Sequence, residues 1–274
     1  MNHSVEIVIV LYKCPLEESI SFASFLQLRE NIKLDVELIL FNNDSELLIE
    51  DERFIVVNSV ENVKVAGAYN FALKRAMESG REWLLLLDQD TAVPENYFMK
   101  LQEFLAGGYR DDLAAVVPVM KSGSRILSPK KVSPFLRLET DIKDNGYNSR
   151  VTAINSMSLV KVDFVKSLGG FSNEYQLDML DRWFYNRIMK GKRMVYVLDL
   201  SSNHSLSFLD FEKNVSPERY SAYIEVENRF AANEMNAFYY CFYKVKLILK
   251  SLRQFVKYKN KSYSKITFSY LFKK

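Results

Sequence analysis

Asp88-Gln89-Asp90 directly follows four consecutive leucines, Leu84-Leu85-Leu86-Leu87, in a chain of 274 residues. Two carboxylates at i and i+2, launched from the end of a buried strand, both reach one divalent cation, because the intervening Gln89 occupies the opposite face. A hard cation held by only two carboxylates keeps open positions, and those suit the oxygens of a diphosphate. The bland alternative is a solvated turn with incidental acids; the apolar run in front of the motif is what favours chemistry. Asp181 stands in Asp178-Met179-Leu180-Asp181-Arg182-Trp183, at the start of a helical stretch. Such an acid serves as a cap or dipole partner, or as a general base that takes a proton from an incoming hydroxyl. His204 follows a strand-like run, and an imidazole beside two carboxylates is a third ligand suited to Mn²⁺ or Mg²⁺. His3, the other histidine, has no comparable context.

The elements that must position these residues are legible as alternating patterns. Val5–Leu11, Val36–Phe41, Phe54–Val57, Trp83–Leu87 and Ala114–Val119 are short apolar runs that predict buried strands. Leu16–Glu30 and Ala66–Ser79 carry helical spacing. Lys121–Asn148 is polar without a sustained period and predicts loops or short strands over the site. Val151–Val160 predicts a strand, Lys161–Leu168 and Asp178–Lys190 helices, and Met194–Leu198 a last strand before helix beyond about Asp210. Strands that are apolar throughout, alternating with helices, indicate a mostly parallel sheet covered on both faces. Ligands of such sheets bind beyond the carboxyl ends of the strands. Tyr12-Lys13, Asn43-Asp44 and Asp88-Gln89-Asp90 all lie there.

Composition narrows the class. Hydrophobic residues at 48% and charged residues at 26% are ordinary for a globular protein. Cys14 and Cys241 have no partner at metal or redox spacing, which predicts two reduced thiols of a cytoplasmic protein. The first residues lack the basic region of a signal peptide, and no stretch approaches the ~20 apolar residues of a spanning helix. The Gly-rich loop of a nucleotidyltransferase is absent after the first strand, as is the G-x-G-x-x-G of a dehydrogenase. A dehalogenase-type phosphohydrolase also carries D-x-D after a strand, but Thr91 comes one position too early.

Charge is divided unevenly. From Met235 to Lys274 there are nine Lys, one Arg and no acid, +10 in all, leaving −7 on the preceding 234 residues from a total of +3. Lys246, Lys250, Arg253 and Lys257 fall on one helical face, with Val245, Ile248, Leu249, Leu252, Phe255 and Val256 expected on the other. That pattern predicts a helix lying on an anionic membrane surface. Nucleic acid is not expected, because the acidic body offers no matching basic groove.

Together these segments resemble a family 2 glycosyltransferase of the GT-A fold, and within it bacterial rhamnosyltransferases of polysaccharide biosynthesis. The resemblance runs from about Val5 to Asn228. Tyr12-Lys13 and Asn43-Asp44-Ser45 resemble the base- and ribose-binding loops. The segment from Asn62 through Lys64, Ala66 and Ala68 to Asn70 resembles N-x-G-x-A-x-A-x-N. Leu87-Asp88-Gln89-Asp90-Thr91 matches the D-x-D motif in the form that suggests rhamnosyl transfer. Gly169-Gly170-Phe171 and the acids after it resemble the block that carries the base.

The resemblance implies an α/β, Rossmann-like domain over 1–210 and a basic helical extension over 211–274. It places donor contacts on Leu11, Tyr12, Asn43, Asp44, Lys64, Asn70, Asp88, Gln89 and Asp90. It puts Mn²⁺ or Mg²⁺ on Asp88, Asp90 and His204, and the base on Asp181, with Asp178 as the alternative. The implied reaction moves L-rhamnose from dTDP-rhamnose to a lipid-linked oligosaccharide, at the inner face of the cell membrane, in assembly of a capsule or O-antigen. A UDP-galactosyl or UDP-glucosyl transferase and an inactive scaffold are the alternatives. Lys64 stands where the family has Gly, Ser172 where it often has Asp, and Trp183 where an acid often follows the base.

Overall fold

The computed structural model describes residues 3–142, 144–203 and 215–273; the expected metal ligand His204 lies outside the described residues. The chain divides into two compact units, one of Met1–Lys131 with Thr140–His204, the other of Val132–Glu139 with Ser205–Lys274.

The first unit begins β1 (Ser4–Leu11), α1 (Ile20–Leu28), β2 (Asp35–Asn42), β3 (Ile55–Asn58), α2 (Lys64–Glu78) and β4 (Trp83–Asp88). Strands and helices follow in the order the patterning predicts, with β2 and β3 consecutive. The expected helix from Leu16 is interrupted, because Ser19 turns extended and accepts the Phe22 N–H as a cap, so that α1 begins at Ile20. After β4 comes a helix that the sequence reading does not anticipate, α3 (Tyr97–Ala106). Its Tyr97, Phe98, Leu101 and Leu105 are buried against the sheet face that α1 also covers.

β5 (Leu113–Ser122), β6 (Arg125–Ser128), β7 (Lys130–Val132), β8 (Glu139–Asp141), β9 (Gly146–Asn148) and β10 (Val151–Thr152) follow. Then come β11 (Ser158–Lys161), α4 (Val162–Ser167), α5 (Leu180–Lys190) and β12 (Met194–Asn203). The single strand expected over Val151–Val160 is two. Ser158 N–H bonds to Asn155 O at 2.9 Å and Met157 sits at φ 62, a tight turn that separates β10 from β11. β10 pairs with β7, whereas β11 enters the main sheet antiparallel to both neighbours.

The main sheet runs β3-β2-β1-β4-β11-β5-β12-β9, with β6 beside β5. β3, β2, β1 and β4 are mutually parallel, and β12 is parallel to β5. Leu84, Leu85, Leu86 and Leu87 are all 0% exposed. Burial of each is worth about 1.5–3 kcal/mol relative to water, which pins the strand that launches Asp88.

The second unit contains α6 (Pro217–Glu234), α7 (Ala237–Lys257) and α8 (Ser262–Ser269). Ser216 and Asn236 cap α6 and α7, accepting the N–H groups of Arg219 and Tyr239. Tyr220, Ile224, Ala231, Leu247, Tyr263 and Tyr270 make its core. A polar knot lies inside it: Gln254 Nε2 donates to Tyr220 Oη at 2.7 Å, and Thr267 Oγ1 donates to Gln254 Oε1 at 2.6 Å. The expected two-faced helix therefore has three faces. Tyr243, Leu247, Ser251 and Gln254 pack inward. The apolar row is solvent-exposed, and at 100° per residue the basic row lies along its border rather than opposite it.

Candidate active site

β1 and β4 are neighbours, and the chain leaves them in opposite directions, toward β2 on one side and toward β11 and β5 on the other. Their carboxyl ends therefore flank a topological switch point, where a crevice opens. Tyr12 at the end of β1 donates its N–H across that crevice to Gln89 Oε1 at 2.7 Å. Gln89 thus ties the two strand exits together and sets the rim.

Three buried hydroxyls hold the Asp-Gln-Asp turn. Asp88 donates its N–H to Ser156 Oγ at 3.0 Å, and Ser156 Oγ also pairs with Thr91 Oγ1 at 2.7 Å. Ser21 Oγ bonds to the carbonyls of Asp88 and of Thr91, the latter at 2.8 Å, and accepts the Thr91 N–H at 3.2 Å. With its backbone committed in this way, the turn presents the Asp88 and Asp90 side chains in a fixed orientation. Tyr69 of α2, fully buried, donates its hydroxyl to Asp88 Oδ1 at 3.2 Å. No sequence signal singles out Tyr69, Ser21 or Ser156, whose bonds to Asp88 span 19, 67 and 68 positions.

The acids are electrostatically coupled. Burial, then the charge of Asp90, pushes Asp88 up to about 6, against the lowering effect of the Tyr69 hydroxyl. Burial, then the charge of Asp88, pushes Asp181 up to about 7, against the lowering effect of Arg182. Asp181 sits in the first turn of α5, behind Met179 at φ 63. Burial and both carboxylates raise Tyr69 well above the ordinary phenol value, so its hydroxyl stays a donor. The fold has thus brought Asp88 and Asp181, 93 positions apart, within electrostatic reach of each other.

A pocket of ≈ 350 Å³ lies over these strand ends, lined by Val10, Tyr12, Asn43, Asn62, Lys64, Val65, Asp88, Gln89, Asp90 and Leu177. Six of the expected donor residues, Tyr12, Asn43, Lys64, Asp88, Gln89 and Asp90, meet there. Three do not. Leu11 is fully buried in the core. Asp44 Oδ1 accepts the Glu46 N–H and shapes the turn after β2. Asn70 donates to Phe171 O at 3.0 Å and accepts the Phe171 N–H at 2.7 Å, so its amide anchors the Gly-Gly-Phe turn to α2. A Cβ at Gly170 would come within 2.6 Å of Asn70 Oδ1, which is why that turn needs glycine. Asn43 lines the pocket but acts likewise on the backbone, accepting Val63 N–H at 3.1 Å and donating to Lys64 O at 3.2 Å. Lys64 keeps the left-handed conformation that glycine would choose, φ 61, and brings a cation to the pocket.

Among the described residues no group of three or more His, Cys, Asp and Glu side chains converges as a metal cage. The pair Asp88 and Asp90 nevertheless fits a hard divalent cation. Both are oxygen donors, and their repulsion, visible in the raised Asp88, is what a cation relieves.

Residues 7–169 match the family model described as glycosyl transferase family 2, more than half of the chain. The chain belongs to that family. It is a glycosyltransferase, and its sheet is that of the GT-A fold. Among solved structures it is similar to Staphylococcus aureus TarS 1–349, with TM-score 0.51 and 14% identity over 98% of this chain and 91% of that one. TarS in complex with UDP-GlcNAc gives TM-score 0.55 and 16% identity over 94% and 73%. The mannosyltransferase PcManGT from Pyrobaculum calidifontis, in complex with GDP-Man and Mn²⁺, gives 0.54 and 11% over 98% and 86%. At such identities the likeness is one of fold. No curated protein sequence matches the chain.

Proposed function

We propose that this family 2 glycosyltransferase is metal-dependent and inverting. In our reading it moves L-rhamnose from dTDP-rhamnose to a hydroxyl of a lipid-linked glycan, at the inner face of the cell membrane. The observation that carries the reading is the pocket at the strand ends that gathers Lys64, Asp88, Gln89 and Asp90, with Asp181 within electrostatic reach of Asp88. The nucleoside end of the donor lies toward Tyr12 and Asn43, and the Lys64 ammonium neutralises a diphosphate oxygen. Asp88 and Asp90, with His204 as the third expected ligand, would hold Mn²⁺ or Mg²⁺. The cation supplies neutralisation of the charge that builds on the leaving diphosphate. Asp181 accepts the proton of the acceptor hydroxyl as that oxygen bonds to the anomeric carbon and the bond to the diphosphate breaks. One in-line displacement of this kind inverts the anomeric configuration.

Nucleotide sugars as donors accord with the UDP-GlcNAc and GDP-Man complexes of the two fold relatives. The rhamnosyl assignment rests on Leu87-Asp88-Gln89-Asp90-Thr91. The test is incubation of the purified chain with bacterial membranes and labelled dTDP-rhamnose, UDP-galactose, UDP-glucose or GDP-mannose. Label from dTDP-rhamnose in solvent-extractable lipid, with the anomer inverted by NMR, is expected. Label from a UDP-hexose alone would move the sugar, and retention of configuration would remove the single displacement.

A further inference from the structure

α7 displays its apolar row to solvent. Exposure runs from 43% at Ile248 and 50% at Val245, through Phe255, Leu252 and Leu249, to 84% at Val256. The inward face of the helix is supplied by other residues, so nothing in the core of this unit requires the row. Along its border, Lys250, Arg253 and Lys257 line a separate pocket of ≈ 280 Å³ with Gln254 and Tyr258. Gln254 is held by Tyr220 and Thr267. Lys250 stands 5.5 Å from the Tyr220 and Tyr223 rings and 3.4 Å from Glu227 Oε2, so its head is positioned and its charge partly matched. Arg253 and Lys257 have no carboxylate partner among the described residues. Three cations thus line one concavity, a set of like charges that an anion would match.

We propose that this pocket receives the phosphate of an acidic phospholipid headgroup while the adjoining apolar row enters the acyl boundary of the same leaflet. The inference rests on the membrane association proposed above, and not on the donor or the base. Charge selects the occupant. The segment Met235–Lys274 holds ten cations and no acid. A second copy would set +10 against +10, and a protein partner would have to match an apolar strip and a one-sign border at once. An anionic bilayer presents both in the required order, headgroups outside and chains inside. No described helix is long and apolar enough to cross a membrane, so α7 lies in the interface.

The experiment uses the full chain and vesicles of phosphatidylcholine, alone or mixed with phosphatidylglycerol, with flotation as the readout. Wild type is expected on the mixed vesicles and largely absent from the neutral ones. Arg253→Gln with Lys257→Gln should weaken the anionic binding by roughly thirtyfold, two basic side chains at the usual worth of each. Leu249→Glu with Leu252→Glu should abolish it, with circular dichroism unchanged in both variants. Equal binding to both vesicle types, unaffected by the glutamines, would overturn the headgroup pocket and leave membrane association standing. Absence from both, with dimers in sedimentation, would overturn both and make a second copy the cover of the strip. Calorimetric binding of inorganic phosphate as tight as vesicle binding would make the ligand free phosphate, and the lipid inference would fail.

Discussion

Replacing Asp181 by Asn tests the base through two observables that move in opposite directions. Burial and the Asp88 charge raise the Asp181 carboxyl to about 7, so the form that accepts a proton is lost as pH falls through that value. With wild type, kcat/KM should fall by up to about tenfold between pH 8 and pH 6, since a group of pKa 7 is about nine-tenths ionised at one and one-tenth at the other. A cation on Asp88 and Asp90 cancels the Asp88 contribution, so in the metal-loaded enzyme the midpoint lies at or below about 7. Asp181→Asn should lose ~10²–10⁴ in rate, about 3–5 kcal/mol of transition-state stabilisation, and the acid limb should vanish with it. Stability should not fall. A carboxyl raised from 3.8 in the fold destabilises it increasingly as pH climbs toward 7, and the neutral amide removes that burden at pH 8. The assay is initial rate against pH at subsaturating acceptor, which reads kcat/KM, with thermal melts at pH 8. Activity within threefold of wild type, with the acid limb intact, would refute the assignment and turn attention to Asp178.

Other outcomes follow from the same geometry. Glu6 is 0% exposed and raised from 4.5 to about 7, mainly by burial and by Glu37, so its ionisation weakens the fold as pH rises through that interval. Glu6→Gln should therefore stabilise by up to about 3 kcal/mol at pH 8, less whatever the Arg81 contact contributes, and by little at pH 4.5; urea melts at both pH values read this. Lys64→Gly relieves a left-handed lysine worth about 1 kcal/mol of backbone strain and removes the pocket cation. Nucleoside diphosphate affinity should drop several-fold by calorimetry with Tm unchanged or higher. Tyr69→Phe deletes the hydroxyl that lowers Asp88, so Mn²⁺ binding should weaken, more at pH 6 than at pH 8.

The parts of the fold legible in the sequence were those in which burial left a one-dimensional trace. Leu84–Leu87 is apolar at every position because both faces of β4 are covered, and the acids after it are conspicuous for the same reason. Turns were harder. Asn155 and Met157 divide β10 from β11 within a run that is apolar enough to read as one strand. Side chains that work on backbone leave no trace of that role in the sequence: Asn70 and Asn43 sit in donor-like motifs, and their amides hold Phe171, Val63 and Lys64, although Asn43 also lines the pocket. Tyr69 was invisible for the converse reason, since an aromatic on an apolar helix stripe looks like core until the strand opposite brings a carboxylate to its hydroxyl. In α7 the sequence distinguishes two faces, because Ser251 and Gln254 look like surface. Only packing against Ser264 and Tyr220 makes them a third, buried face and leaves the apolar row outside.

In the proposed mechanism the crevice at Asp88-Gln89-Asp90 binds a nucleotide sugar through a divalent cation. Calorimetry of dTDP, UDP, GDP and their sugars with Mn²⁺ and then with EDTA tests it most directly, on wild type and on Asp88→Asn with Asp90→Asn. Binding led by dTDP-rhamnose that disappears with EDTA and in the double variant is expected. Binding that ignores both, or no binding of any nucleotide with Mn²⁺ present, would contradict it.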